Sequence, residues 1–258
     1  MKFARIPKFT FLLPLAGVLA LALTGCGSAV SNLGLAQGNW AFTASSTAPV
    51  KASSGLSFVA GGNLTQSGAT LTGTMYISQS ACIVPQFVNF TGTVKGKDVT
   101  LTSASFGGQV ISVTASGTNT SLTGTYTVTG GCSDSGTINA SPVASISGTW
   151  VGTIPPVTLG LAATTVSIAL TQSASASEDG TFALSGTLTY TNSGCASTGT
   201  ITNGYLAGNF VSFSGTTDDG AGSFTFDQGI LDSVTSPLNI PGTYEDCNGP
   251  QSVTLTKQ

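Results

Sequence analysis

The sequence predicts an all-β protein built from two tandem, small antiparallel β-barrels of about eight strands each. Apolar and polar residues alternate over short windows, as from Val166 to Thr171, which is typical of strands with one buried face. Turn formers such as Gly61-Gly62-Asn63 and Asn203-Gly204 recur about every ten residues. An internal duplication is the third observation. Two β-sandwiches would fit the same pattern and remain the alternative fold.

The duplication is visible as short motifs that occur twice in the same order. LTGTMYISQSAC at 71–82 matches LSGTLTYTNSGC at 184–195 without a gap. The other matched pairs are Gly38-Asn39-Trp40 with Gly148-Thr149-Trp150, Leu64-Thr65-Gln66-Ser67 with Leu170-Thr171-Gln172-Ser173, and Gly124-Thr125-Tyr126 with Gly242-Thr243-Tyr244. Because the order is kept over a whole domain length, we interpret the chain as two repeats, 38–145 and 146–258.

Each repeat is predicted to contain eight strands, because that is how many alternating windows lie between turn signals. For the first repeat the predicted strands are 39–45, 55–66, 70–78, 87–95, 98–105, 109–116, 121–128 and 136–142. The second repeat gives a similar set. No window outside the first residues of the chain shows a helical stripe.

Residues 1–25 have the pattern of a secretory signal peptide, which is predicted to be helical. Lys2, Arg5 and Lys8 precede an apolar run over 11–22, and small residues follow it. The run is short for a membrane-spanning helix. Residues 26–37 are predicted to form a flexible tether between the anchor and the first barrel.

The end of this leader, LTGC at 23–26, resembles the lipobox of bacterial lipoproteins. The resemblance implies that Cys26 is diacylated on sulfur, becomes the mature N-terminus and is acylated there as well, so that it anchors the protein in a lipid bilayer. In this family an aspartate after the cysteine favours the inner membrane. The residue here is Gly27, which favours the outer membrane. The alternative is an ordinary cysteine beside a plain signal-peptidase site.

Four further cysteines, Cys82, Cys132, Cys195 and Cys247, form an even set in an exported chain, which indicates disulfides. Each repeat holds one early and one late cysteine. The economical pairing is therefore Cys82–Cys132 and Cys195–Cys247, and a pairing between repeats would break their equivalence.

The Gly-x-Trp motif that opens each repeat resembles the calycin group of barrels, the lipocalins and avidin-like proteins. This resemblance implies that Trp40 and Trp150 close the barrel bottoms, and it makes the predicted barrels lipocalin-like. Lipocalins usually add a C-terminal helix and often a basic residue over the tryptophan, and the sequence shows neither. No ligand-binding residues are therefore assigned.

Composition excludes several function classes. The chain has no His, so a Ser-His-Asp or Cys-His catalytic arrangement is excluded. After the leader only Lys51, Lys95, Lys97 and Lys257 are basic, against ten acidic residues, which excludes the usual nucleic-acid-binding surface.

The acidic residues lie mostly in turns, as at Glu178-Asp179-Gly180, Asp218-Asp219-Gly220 and Glu245-Asp246. We interpret them as turn formers rather than as a glycosidase pair or a calcium site. No catalytic residue, metal ligand or cofactor is predicted. The aromatic residues Trp40, Trp150, Tyr126 and Tyr244 are predicted to be core.

The sequence therefore favours a non-catalytic lipoprotein of the bacterial outer membrane with a binding, surface or structural role. Its one assigned partner is the lipid bilayer, reached through Cys26, and a protein or small-molecule partner is not identified. Two alternatives stay open. One is a lipocalin-like carrier of a small apolar ligand, and the other is an inhibitor of an exported hydrolase.

Overall fold

The structure is a computed structural model that describes residues 36–47, 58–78, 83–131, 133–156, 162–194, 196–218, 222–232 and 238–258. These ranges contain sixteen strands and no helix. The predicted signal peptide, most of the tether and the predicted lipid-bearing Cys26 lie outside the described residues. Cys82, Cys132 and Cys195 also lie outside them.

The first eight strands form a closed barrel in which each strand pairs antiparallel with the next. Closure is made by the first strand, which pairs with both the second and the eighth. The strands are β1 (Gly38–Ser46), β2 (Phe58–Ser67), β3 (Thr70–Ser78), β4 (Gln86–Lys95), β5 (Asp98–Ser103), β6 (Val110–Thr118), β7 (Ser121–Thr129) and β8 (Asp134–Pro142).

The other eight strands form a second closed barrel of the same order, in which β9 pairs with both β10 and β16. They are β9 (Gly148–Ile154), β10 (Thr164–Gln172), β11 (Phe182–Thr191), β12 (Thr198–Ala207), β13 (Phe210–Thr217), β14 (Ser223–Ile230), β15 (Asn239–Asp246) and β16 (Gly249–Lys257). The prediction of two tandem eight-stranded barrels is confirmed, and the sandwich alternative is wrong.

The predicted strands of the first repeat match the observed ones closely, with two instructive differences. The fifth strand ends at Ser103 instead of 105, where the buried Ser103 hydroxyl accepts a hydrogen bond from the backbone N–H of Ile111 at 2.9 Å. The eighth strand begins at Asp134 instead of 136, because Asp134 continues the ladder opposite Val128. Residues 55–57 of the predicted second strand lie outside the described residues.

The tryptophan of each Gly-x-Trp motif is fully buried inside its barrel and is the third residue of that barrel's first strand. In the second barrel the Nζ atom of Lys257 lies 5.7 Å from the Trp150 ring centroid. The expectation that no basic residue covers the tryptophan is thus wrong for this barrel, since Lys257 on the last strand pairs with Trp150. In the first barrel, Pro142 pairs with Trp40 instead.

Candidate binding surface between the barrels

The interior of each barrel is filled by side chains. The first barrel buries one continuous cluster around Trp40, Met75 and Tyr126, and the second buries another around Trp150 and Phe226. Large rings occupy the space that small residues leave: a Cβ added at Gly242 would lie 2.4 Å from the Phe226 ring. The described part of the two interiors is therefore packed core, as protein interiors normally are.

The two barrels meet along a surface that we call the seam. It joins the outer faces of β1 to β4 and β8 in the first barrel to β12 to β14, and to the loop between β10 and β11, in the second. Contacts group both barrels into one compact unit. The described residues form three open grooves along the seam and a further one of about 370 Å³ at the end of the second barrel, near Pro155 and Asn192.

The centre of the seam is a close approach of two glycines. A Cβ added at Gly61 would lie 2.6 Å from the Cα of Gly208, so neither position has room for a side chain. Gly208 has a φ of 59°, the left-handed conformation that glycine adopts without strain. Beside it, Asn39 Nδ2 donates to Gly208 O at 2.9 Å, and Gly208 N donates to Asn39 Oδ1 at 2.8 Å.

The loop between β10 and β11 forms one side of the seam. Gly180 O accepts a hydrogen bond from the backbone N–H of Asn63 on β2 at 3.1 Å. The loop is held in shape by Asp179, whose carboxylate accepts hydrogen bonds from Ser177 and from the Thr181 hydroxyl. These bonds, that from Ser177 first, lower the pKa of Asp179 below its ordinary value.

Four outward-facing aromatic rings pack across the seam. Tyr76 and Phe87 belong to the first barrel, and Tyr205 and Phe210 to the second. The Tyr76 ring lies 5.0 Å from that of Phe210 in an edge-on arrangement, and the Phe87 ring lies 6.0 Å from that of Tyr205. Outward positions on a barrel normally meet water, so these rings indicate that the barrels associate through apolar contact.

Three grooves lie along the seam. One, of about 350 Å³, lies between Asn63, Thr74 and the β10–β11 loop. Another, of about 390 Å³, runs between Thr43 and Leu231. The largest, which we call the central groove, has a volume of about 550 Å³. Its lining includes Tyr76, Tyr205, Phe210, Ser212, Asp227 and Gln228.

Polar groups converge in the central groove. Burial raises the pKa of Tyr205, and the nearby Tyr76 and Asp227 raise it further, so its hydroxyl stays protonated. The Asp227 carboxylate accepts a hydrogen bond from the Ser212 hydroxyl at 2.7 Å. The groove thus presents hydrogen-bond donors and acceptors beside aromatic rings.

The wall of the central groove contains a β-bulge. Asp227 and Gln228 lie where the register between β13 and β14 shifts, opposite Ser212. Gln228 has a φ of 56°, a left-handed conformation that is unfavourable for a residue with a side chain. Such strain is often found where a bulge directs side chains toward a binding site.

No protein-family model and no curated protein sequence matches the chain. Among solved structures, the chain is similar to a crystal structure of a double mutant of the vaccine antigen transferrin-binding protein B from Haemophilus parasuis Hp5. The sequence identity is 11%, the match covers 86% of this chain and 75% of that chain, and the TM-score is 0.23. These values assign neither a family nor a function.

The cysteines predicted to matter are mostly outside the described residues. Cys247 is disulfide-bonded. Its predicted partner Cys195, the predicted pair Cys82 and Cys132, and the predicted lipidation site Cys26 lie outside the described residues, so these assignments stay predictions.

The acidic residues hold turns and loops where they are described. Asp218 accepts hydrogen bonds from the Ser197 hydroxyl at 2.7 Å and from the backbone N–H of Thr198, and these bonds, the first above all, lower its pKa to about 2. Asp246 accepts a backbone hydrogen bond from Asn248.

Among the described residues, no group of three or more acidic or cysteine side chains is placed to hold a metal ion. No helix in the described ranges is long and apolar enough to cross a membrane.

The aromatic residues of the repeated motifs are core, as predicted. Tyr126 donates to the buried carboxylate of Asp134 at 2.5 Å, and Ser46 donates to the other oxygen at 2.6 Å. The equivalent Tyr244 instead shares a hydrogen bond of 2.6 Å with Tyr190. The outward aromatic residues of the seam are not among the predicted site residues, although Tyr76 and Tyr205 stand at polar positions of the strand alternation and could have indicated the seam.

Proposed function

We propose that this chain is a lipid-anchored, non-catalytic binding protein of the bacterial cell envelope whose binding surface lies on the seam. The observation that carries this proposal is the central groove of about 550 Å³, which lies between two barrels whose interiors each bury a continuous apolar cluster. A filled barrel serves as a rigid support, and a groove beside it offers the concave surface that ligands require.

Anchoring at the outer membrane is the second part of the proposal. The motif LTGC at 23–26 and the glycine at 27 support it. Several acyl chains on Cys26 would hold the protein durably, since each buried methylene contributes about 0.8 kcal/mol and one chain alone binds marginally.

The anchor is tested by expressing the full chain in a double-membrane bacterium as wild type, Cys26→Ser and Gly27→Asp. We expect the wild type in the outer-membrane fraction, with an intact mass that shows a triacylated Cys26 at the N-terminus. Cys26→Ser should appear in the soluble periplasmic fraction. Gly27→Asp is the matched control, because it should remain lipidated but stay at the inner membrane. A mature wild-type N-terminus at any other residue would refute the anchor.

Two disulfides within the repeats, Cys82–Cys132 and Cys195–Cys247, belong to the same proposal. The bonded state of Cys247 and the matched positions in both repeats support them. Each would close a loop of about fifty residues and stabilise the fold by roughly 4 kcal/mol in the chain-entropy description. Non-reducing peptide mapping should recover both pairs, and a peptide that joins the two repeats would contradict this pairing.

The two alternatives receive less support. A carrier of a small apolar ligand needs an interior cavity, and the described interiors are packed. Native mass spectrometry of the purified protein should therefore detect no co-purified apolar molecule. An inhibitor of an exported hydrolase needs a protruding loop, and the loop between β10 and β11 does not serve as one, because it lies against the first barrel. Inhibition of any enzyme in a panel of cell-wall hydrolases would revive that alternative.

A further inference from the structure

We propose that the central groove binds a neutral sugar ring, so that the ligand class of this protein is a carbohydrate without charged groups. This inference deepens the proposed function and rests on it, because it assigns a ligand to the same seam. Four properties of the groove lead to it: aromatic rings, polar groups without partners, the sign of the local charge and a volume that fits a small ligand.

The aromatic rings supply a surface for the apolar side of a sugar ring. Phe210 is buried at 6% exposure and lines the groove with Tyr76 and Tyr205. The Phe210 and Tyr76 rings pack edge to face at an interplanar angle of 81°, and both line the groove. The C–H groups on one face of a pyranose carry partial positive charge, and they are attracted to the negative face of an aromatic ring.

The polar groups supply hydrogen bonds that the protein itself does not use. Within the described part of the chain, the hydroxyls of Tyr76 and Tyr205 and the amide of Gln228 have no hydrogen-bond partner. Asp227 uses one oxygen for Ser212, and its second oxygen has no described partner. A ligand with several hydroxyls can donate to the carboxylate and accept from the phenols at once.

The local charge selects a neutral ligand. Asp227 lines the groove, and none of the described lysines does. Lys95 and Lys97 lie at the turn between β4 and β5, and Lys257 covers Trp150. A phosphate or carboxylate ligand would therefore meet like charge without a compensating cation, which disfavours anionic ligands.

The shape of the groove agrees with this ligand class. A volume of about 550 Å³ falls in the ordinary range for small-molecule sites. The bulge at Asp227 and Gln228 turns two consecutive polar side chains toward the exposed side of the strand at the groove, and Gln228 adopts a strained φ of 56° there. An arrangement that strains the backbone in order to present polar groups is expected at a binding site.

The test is isothermal titration of the mature chain, carrying Cys26→Ser for solubility, with three neutral tetrasaccharides and one acidic one. The neutral probes are linear β-1,4-glucan, α-1,4-glucan and β-1,4-N-acetylglucosamine tetramers, and the acidic probe is tetragalacturonate. We expect at least one neutral probe to bind with a Kd of about 1 mM or tighter, and the acidic probe to bind at least about tenfold more weakly.

Variants locate the site. Tyr205→Ala and Asp227→Ala should each weaken binding of that neutral probe about tenfold or more, and Tyr205→Phe, which keeps the ring, should weaken it less. Asp98→Ala, on the first barrel away from the groove, is the matched control and should bind like the parent. Circular dichroism and melting temperature check that each variant is folded.

Three results would overturn the inference: no binding of any neutral probe, equal binding of tetragalacturonate, or unchanged binding in folded Tyr205→Ala and Asp227→Ala. None of these bears on membrane anchoring, which Cys26→Ser and Gly27→Asp test in cell fractions. The ligand assignment can thus fail independently of the anchoring part of the proposed function.

Discussion

The side-chain amide of Asn39 in the first barrel binds both backbone polar groups of Gly208 in the second. The two hydrogen bonds, of 2.9 and 2.8 Å, satisfy the carbonyl and the N–H of Gly208 as a neighbouring strand would. Asn39 is buried at 7% exposure, so water does not compete for these groups. The equivalent residue of the second repeat is Thr149, which is exposed. The central residue of the Gly-x-Trp motif therefore differs between the repeats: Asn39 contacts the other barrel, and Thr149 faces solvent.

Asn39→Thr, which gives the first repeat the residue of the second, should loosen the seam. It leaves the buried N–H and C=O of Gly208 without partners, and we expect a loss of about 2 kcal/mol in the free energy of unfolding. Denaturant unfolding followed by circular dichroism measures this loss. The reciprocal variant Thr149→Asn is the control and should change stability by less than about 0.5 kcal/mol. Equal stability of the two variants would contradict the role of Asn39.

The two motif tryptophans should respond differently to removal of their N–H group. Trp150 Nε1 donates to Ile146 O at 2.8 Å, whereas Trp40 Nε1 is buried and has no partner among the described residues. Both positions lose similar volume in a Trp→Phe change. We therefore expect Trp150→Phe to lower the free energy of unfolding by about 1 kcal/mol more than Trp40→Phe. Chemical denaturation of the two variants tests this, and a larger loss in Trp40→Phe would refute it.

High pH should unfold the barrels through their buried tyrosines. Burial raises the pKa of Tyr126 and Tyr244 well above the ordinary value of 10.0, and it raises the pKa of Tyr190 to about 12. A phenol with a higher pKa in the folded chain holds its proton more tightly there. Its contribution to stability is complete below pH 10 and is lost as the pH rises toward the folded value.

Absorbance titration of tyrosinate, run beside circular dichroism, measures this effect. We expect the tyrosinate signal of Tyr126, Tyr190 and Tyr244 to appear together with the loss of β-structure, above about pH 10. Tyr205→Phe is a useful control, because it removes a tyrosine of the seam and leaves these three in place. Full ionisation of all five tyrosines in a chain that keeps its β-structure would contradict the prediction.

Replacing Gln228 by Gly should stabilise the protein. The φ of 56° at this residue suits glycine and is unfavourable for glutamine. We expect a gain of about 1 kcal/mol in the free energy of unfolding, measured by thermal or chemical denaturation. Gln109→Gly, which removes a glutamine side chain at a position without a positive φ, is the contrasting control and should not stabilise. A destabilised Gln228→Gly variant would mean that the strain inferred from this backbone is absent.

Much of the fold could be predicted because it depends on local pattern. Alternation around Val166 and Leu71 marks the strands, and the Gly-x-Trp repeat marks the two barrels. The burial of Tyr126 and Tyr244 followed from the same motifs, since a large ring in a repeated strand position is usually core. These features need only neighbours in sequence or the matching position of the other repeat.

The seam could not be predicted, because its contacts join residues far apart in sequence. These residues are also positions at which the two repeats carry different amino acids. Gly61 corresponds to Ser167, three residues before the shared Leu-Thr-Gln-Ser motif, and only in the structure does it contact Gly208. The position of Lys257 over Trp150 could not be predicted for a similar reason, because the two residues meet only when the last strand closes the barrel against the first. The strained φ of Gln228 follows from a bulge that no local motif signals.

The turn between β12 and β13 has a consequence for how the gene duplication evolved. Its residues Ala207 and Phe210 are buried, while the corresponding turn of the first repeat carries Lys95, Lys97 and Asp98, which are exposed. Because the exposed, charged turn of the first repeat cannot replace the buried, apolar turn of the second, the two repeats are no longer interchangeable. A chimera of two identical first repeats would therefore form two barrels that lack the buried turn through which the natural pair makes contact.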